Sequence, residues 1–302
     1  MKHFTIKPLL LTALLGLGLH AQAALNVMAC EPEWATLVKE LGGDKVNVSS
    51  ATTALQDPHH IEARPSLIAR VRNADMLVCT GMELEIGWLP VLVRQSGNAR
   101  LAEGAPANFE AGRYITPLGV PARLDRSEGD VHAQGNPHIQ QDPRNIGKIA
   151  VALAARLAQL DAANAGLYQQ RLQSFSARWM AAIQKWEQQA QPLKGVAVVS
   201  HHKNMGYLWA WLGLREVGTL EPKPGVEPSI GHLSELKAQL ARQPAKLVVR
   251  AAYEDTRASQ WLSDQARIPA VALPFTVGGN DKSTDLFGLF DSTVALLLEA
   301  AR

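Results

Sequence analysis

Beyond residue 24, short apolar runs alternate with amphipathic stretches whose apolar positions recur every three to four residues. Residues 25–30 read as a strand, 33–41 as a helix ended by Gly42-Gly43, and 46–50 as a second strand. Pro65, a good first helical residue, opens a helix through Asn73; 76–79 is the next strand and 88–94 a further short helix. Residues 104–136 are rich in glycine, proline and small side chains, so the pattern there predicts loop holding one or two short strands.

A helical block follows. Asp142-Pro143 pairs an N-cap residue with proline, opening a helix to about Leu160. From Ala162 to about Gln191 the chain is rich in Ala, Gln, Leu and Arg; as one helix it would extend about 45 Å, long enough to brace two lobes. The alternation then resumes. Strands are predicted at 195–200, 246–250 and 270–275, helices at 205–212, 234–242 and 256–266, and a closing helix at 285–301. Strands alternating with helices imply parallel sheets covered on both faces. The expected fold is α/β: an N-terminal lobe over 24–141, a helical linker over 142–194 and a C-terminal lobe over 195–302, the lobes joined by a long rigid helix with a cleft between them.

The first 23 residues stand apart. Lys2 and Lys7 precede an apolar run at 9–19, too short to span a bilayer, and Ala21-Gln22-Ala23 fits a small-x-small cleavage site. This predicts a signal peptide and an exported, periplasmic protein, and no cysteine follows directly to carry a lipid. Of 30 basic residues in the chain two fall in this leader, leaving 28 against 28 acidic ones. A balanced chain argues against nucleic acid or an anionic membrane surface as its main partner. Cys30 and Cys79 are the only cysteines, and each ends an apolar run. An export compartment permits a bridge between them; a bridge between neighbouring parallel strands requires unusual geometry, so two buried thiols are an equal alternative.

Histidines carry the chemistry. His59 in Asp57-Pro58-His59, His138 in Asn136-Pro137-His138, and His201 or His202 in Ser200-His201-His202-Lys203 each stand where an apolar run gives way to a turn. They are far apart in sequence, so only folding can gather them. An imidazole presented by a proline-stiffened turn suits a borderline transition metal. A lone histidine in a turn is ordinarily a solvated or hydrogen-bonded side chain; three in matching settings point to a metal site. In parallel sheets ligands bind beyond the carboxyl ends of the strands, and His59, His202 and the loop before Asp285 all follow strands.

These strings, with Pro65-Ser66, Asp142-Pro143, Gly206-Tyr207-Leu208, Glu221-Pro222-Lys223-Pro224-Gly225, Pro228-Ser229, His232-Leu233 and Val277-Gly278-Gly279, resemble the zinc/manganese solute-binding proteins of bacterial ABC importers. The resemblance runs through essentially the whole chain after the leader. It implies a rigid, monomeric two-lobe binding protein that encloses one metal ion between its lobes and hands it to an inner-membrane permease. It also implies the ligands His59, His138, His202 and Asp285; spacing to Gly206-Tyr207 favours His202 over His201, while Asp281 on the same loop, or water, competes with Asp285. Manganese-selective relatives put a carboxylate where this chain has His202, so the resemblance and the nitrogen-rich donor set together imply Zn²⁺ as cargo, with Mn²⁺ the alternative. His60 is expected behind the ligands, and His132 is the only histidine where relatives carry a His-rich loop.

A zinc hydrolase is the rival class. The chain has no His-Glu-x-x-His helix, no Gly-x-Ser-x-Gly elbow and no phosphate loop before a helix, and only Glu62 lies close in sequence to a proposed ligand as a candidate base. The expectation is a binding protein and no enzyme.

Overall fold

The computed structural model describes residues 23–302, so the expected leader lies, but for Ala23, outside the described residues. Among the described residues eight strands form two four-stranded sheets, every pairing parallel. The first sheet contains β1 (Leu25–Ala29), β2 (Val46–Ser50), β3 (Met76–Cys79) and β4 (Asn108–Glu110) in the order β2-β1-β3-β4. The second contains β5 (Ala197–Ser200), β6 (Arg215–Thr219), β7 (Leu247–Ala251) and β8 (Ala270–Leu273) in the matching order β6-β5-β7-β8. The central strands β3 and β5 are buried at every position, as parallel strands covered on both faces must be.

Around the first sheet lie α1 (Pro32–Gly42), α2 (Pro65–Asn73) and α3 (Leu89–Ser96). Helix α1 starts on proline and buries Trp34, Leu37, Val38 and Leu41, the i, i+3, i+4, i+7 stripe of a core-facing helix. Next come α4 (Pro143–Leu160), capped by the Asp142 carboxylate on the Arg144 N–H, and α5 (Ala165–Gln189). At 25 residues α5 is about 38 Å long, shorter than the pattern predicts because residues 162–164 form a separate turn of 3₁₀ helix. Helix α5 packs on α4, on α1 and on the last helix, so it braces elements of both lobes. Its buried stripe of Tyr168, Leu172, Phe175, Trp179 and Trp186 meets Phe287 and Phe290 edge-on or tilted.

The second sheet is flanked by α6 (Gly206–Leu212), α7 (Ile230–Leu240), α8 (Thr256–Ala266) and α9 (Leu286–Ala300). One hydrophobic core extends from β1 and β3 through α4 and α5 to β5, β7 and α9, so the lobes share an interior. Two hydrogen bonds cross nearby: Gln141 donates to the Phe275 carbonyl at 2.7 Å, and the Thr276 hydroxyl donates to the Glu33 carboxylate.

Three details differ from the sequence reading. Strand β6 was not anticipated: its Arg-Glu-Val-Gly-Thr composition is that of a half-exposed edge strand and has no apolar run. Helix α7 begins at Ile230, four residues earlier than the pattern suggests, because Ser229 caps it by accepting from the His232 N–H. Strand β8 stops at Leu273, where Pro274 offers no N–H to continue the ladder. Cys30 and Cys79 form a disulfide, one position beyond the Ala29–Val78 pair of β1 and β3. Among the described residues no helix is long and apolar enough to cross a membrane.

Candidate metal centre

His59, His138 and His202 come together in the cleft, their ligand nitrogens all within 4.8 Å of one another. Ring centroids are separated by 5.2 Å (59–138), 5.7 Å (138–202) and 6.0 Å (59–202). His59 comes from the loop between β2 and α2, His138 from the approach to α4, and His202 from the turn after β5.

Each ring is oriented through its Nδ1. His59 Nδ1 lies 2.8 Å from Asp57 Oδ1, and the same oxygen accepts the His59 backbone N–H. His138 repeats the arrangement with Asn136 Oδ1, at 2.7 Å from the ring and 2.9 Å from the backbone. The intervening prolines 58 and 137 fix the chain, so a side chain two residues upstream sets both ring plane and backbone. Asn136 Nδ2 donates to the Lys203 carbonyl, which leaves Oδ1 as the oxygen facing His138. His202 Nδ1 lies 2.6 Å from Glu221 Oε2.

A ring that donates through Nδ1 carries its lone pair on Nε2 when neutral. The Nε2 atoms of His59 and His138 are buried without a hydrogen-bond partner. An unsatisfied buried polar atom costs about 1–3 kcal/mol, and several lone pairs facing one another are tolerated best around a cation. Acceptor-anchored imidazoles presenting Nε2 are the usual dress of a metal-binding histidine. The donor set therefore fits a divalent ion of the zinc type.

Electrostatics divides the rings. Burial, reinforced by His59, His202 and His132, holds the His138 imidazole well below the usual histidine range, so it stays neutral. Burial also opposes charge on His202, but the hydrogen bond and charge of Glu221 outweigh it and raise that pKa. Asp57 is lowered: burial works against its charge, and the His59 contacts overcome the penalty. Glu254, half-buried next to the site, is pushed up to about 7 by desolvation.

Asp285 is not among the converging side chains. It is exposed and caps α9, its Oδ1 accepting the Gly288 N–H at 2.7 Å. Asp281 is exposed and equally absent from the group. His201 is outside the group of three; it lines, with His59, His202, Glu221 and Glu254, a chamber of about 200 Å³. His60 is exposed at the edge, and Lys203 is exposed as well. Sequence reasoning missed the supports. Asp57 and Asn136 could have been found from the repeated Asx-Pro-His pattern; Glu221 lies nineteen residues from its histidine, after the unrecognised β6, and no local signal marks it.

Comparison with known proteins decides the family. The model for "Zinc-uptake complex component A periplasmic" matches residues 27–300. The chain belongs to that zinc-uptake component A family. A metal ABC transporter substrate-binding lipoprotein, ScbA of Streptococcus cristatus, is 28% identical over 164 residues, 53% of this chain and 49% of the relative. The chain thus spans about half of that relative. The manganese ABC transporter substrate-binding lipoprotein scaA of Streptococcus gordonii is 25% identical over 281 residues, 88% of this chain and 84% of the relative. A crystal structure of ZnuA superposes with a TM-score of 0.74 at 23% identity, covering 91% of this chain and 99% of that one, a likeness of fold. The paired four-stranded sheets and long brace of this component A protein are a fold it shares with ZnuA.

Proposed function

We propose that this protein captures Zn²⁺ in the periplasm, holds it between its lobes through His59, His138 and His202, and delivers it to an ABC permease in the inner membrane. The observation that carries the reading is the set of three imidazoles anchored through Nδ1, two of them with buried, unpartnered Nε2 atoms. Neutral nitrogen donors favour zinc over manganese, whose preference is for oxygen. Manganese is the second reading, because the scaA relative is named for it. The ion is cargo: it is bound, shielded from water and released unchanged.

Competition titration of the metal-free protein tests the choice of metal. Zinc should displace manganese at equimolar concentration; displacement in the opposite sense would support the second reading. Delivery is tested separately in vesicles carrying a candidate permease, where zinc-loaded protein should stimulate uptake and failure with every permease encoded beside it would argue for a buffer instead.

A further inference from the structure

A second cluster of metal-type donors lies in the N-terminal lobe and includes none of the three histidines. The Sγ atoms of Cys30 and Cys79 and a carboxylate oxygen of Glu85 all lie within 4.8 Å of one another, as tight a grouping as the histidine nitrogens make. All three side chains are buried, the cysteines completely. We propose that Cys30, Cys79 and Glu85 form a second, redox-gated metal site, shut while the disulfide is intact and open to a thiophilic divalent cation of the zinc or cadmium class once a dithiol has reduced the bridge. This site stands independently of the histidine reading.

The fold delivers the three donors to one place. Cys30 follows β1 and Cys79 ends β3, at the carboxyl edge of a parallel sheet, where ligands bind. The chain then reverses through Gly81, Met82 and Glu83, three successive residues in left-handed backbone (φ 73°, 54° and 68°). Non-glycine residues take that conformation only at a cost, and such outliers gather at functional sites. The reversal returns Glu85 to the end of β3. There its carboxylate accepts the Thr80 N–H at 2.7 Å and the Gly81 N–H at 3.0 Å, so it is oriented before any ion arrives.

The pocket is short of positive charge. Glu31, next to Cys30, is buried as well; its Oε2 accepts the Thr80 hydroxyl at 3.1 Å, and its Oε1 is buried without a hydrogen-bond partner. Among the described residues no Lys, Arg or His forms an ion pair with Glu31 or Glu85. Burial raises both carboxyls, that of Glu85 to about 7, so they tend to keep their protons. A divalent ion supplies the missing charge and lowers the thiol pKa values, so that both sulfurs bind as thiolates.

A cavity of about 400 Å³ lies against the site, lined by Cys79, Gly81, Met82, Glu85 and the exposed Ile86, and gives a small reductant a route to the Cys79 side of the bridge. One thiolate of the dithiol attacks the Cys79 sulfur; the S–S bond breaks, and the Cys30 sulfur leaves with the electron pair and takes a proton. The second thiol of the reagent then displaces the Cys79 sulfur, which takes the other proton. The dithiol ends as a disulfide, having given up two electrons and two protons. Metal binding expels both thiol protons, together with any proton on Glu85. Two sulfurs and one carboxylate favour Zn²⁺ or Cd²⁺ over Mn²⁺.

Cobalt titration separates this site from the histidine site, because sulfur ligands add an intense near-ultraviolet charge-transfer band that imidazoles lack. Wild-type protein reduced with dithiothreitol and freed of the reagent should bind one more equivalent of Co²⁺ than oxidised protein and should show that band, with an unchanged circular dichroism spectrum. The band should persist in reduced His59→Ala and His138→Ala, so failure of the histidine reading leaves this test standing. Cys79→Ser should abolish it, and Glu85→Gln should weaken cobalt binding at the sulfur site by about tenfold or more. Reduced, folded protein with both thiols titratable but no extra equivalent and no sulfur band would overturn the proposal. So would a bridge that dithiothreitol opens only by unfolding the chain, and an unchanged affinity in Glu85→Gln would remove Glu85 from the site.

Discussion

In the N-terminal lobe the two cleft histidines are set by residues two positions earlier, whereas in the C-terminal lobe His202 is set by a carboxylate nineteen residues downstream. Asp57-Pro58-His59 and Asn136-Pro137-His138 are the same device used twice: an Asx oxygen bonds both the backbone and the ring of a histidine behind a proline. Such a turn is formed locally and needs little from the rest of the fold. His202 depends on β5 to place its turn, on β6 to bring Glu221 alongside, and on the 221–225 turn to hold that carboxylate. The N-terminal half of the site is therefore built in advance, and the C-terminal half is conditional on tertiary structure. The two sheets share one strand order, so the difference lies in the loops at their carboxyl ends and not in the scaffold.

The largest effect should come from His138→Ala. His138 is the most deeply buried of the three, at 2% exposure, and the one held most firmly neutral, so it is ready for metal at any physiological pH. Its loss should lower zinc affinity by about 10³-fold or more, about 4 kcal/mol, read by chelator competition. A loss under tenfold would mean that the prebuilt half is not the binding half.

Glu221→Gln should come next, with a loss of about 10–100-fold, the usual range for the outer partner of a metal-binding histidine. Its pH dependence discriminates further. Metal requires neutral imidazole, and Glu221 raises the His202 pKa above its ordinary value, so in wild type a proton displaces zinc at a higher pH than an isolated histidine would allow. Affinity should fall as pH drops through and below that raised value. Removing the carboxylate's charge should move the midpoint of the fall to lower pH, even though the affinity at pH 8 is weaker. Calorimetric titrations at pH 8, 7 and 6 measure both quantities; an unmoved midpoint would sever Glu221 from His202.

Asp285→Ala should have the smallest effect on the metal, within about twofold in affinity. As an N-cap it should instead reduce stability by about 1 kcal/mol, seen as a shift of the denaturation midpoint of metal-free protein. Strong zinc loss with unchanged stability would instead mark Asp285 as a donor.

The scaffold was legible because its signals are local. Buried strands such as Met76–Cys79, the Pro65 and Pro143 helix starts and the Gly42-Gly43 stop are all short-range features, and each lies where the pattern put it. Strand β6 was not legible because an edge strand satisfies its outer face with water and needs no apolar run. The site divides in the same way. Three histidines in turn settings were visible from sequence, and the structure gathers His59, His138 and His202 and leaves His201 outside the group. Asp285 stands apart from the three histidines, and an aspartate at the end of a Gly-rich loop serves as a helix cap, as it does on α9. The place of Glu221 depends on a chain crossing that no spacing rule encodes. The disulfide was also beyond the sequence, since two apolar runs ending in cysteine do not say whether the strands are adjacent.

The most direct test of the whole account is anomalous diffraction at the zinc edge from crystals of protein loaded with a single equivalent of Zn²⁺. The account predicts one strong peak in the cleft, about 2.0–2.1 Å from Nε2 of His59, His138 and His202. A dominant peak elsewhere, or one approached through Nδ1 with Asp57, Asn136 and Glu221 displaced from their rings, would contradict it.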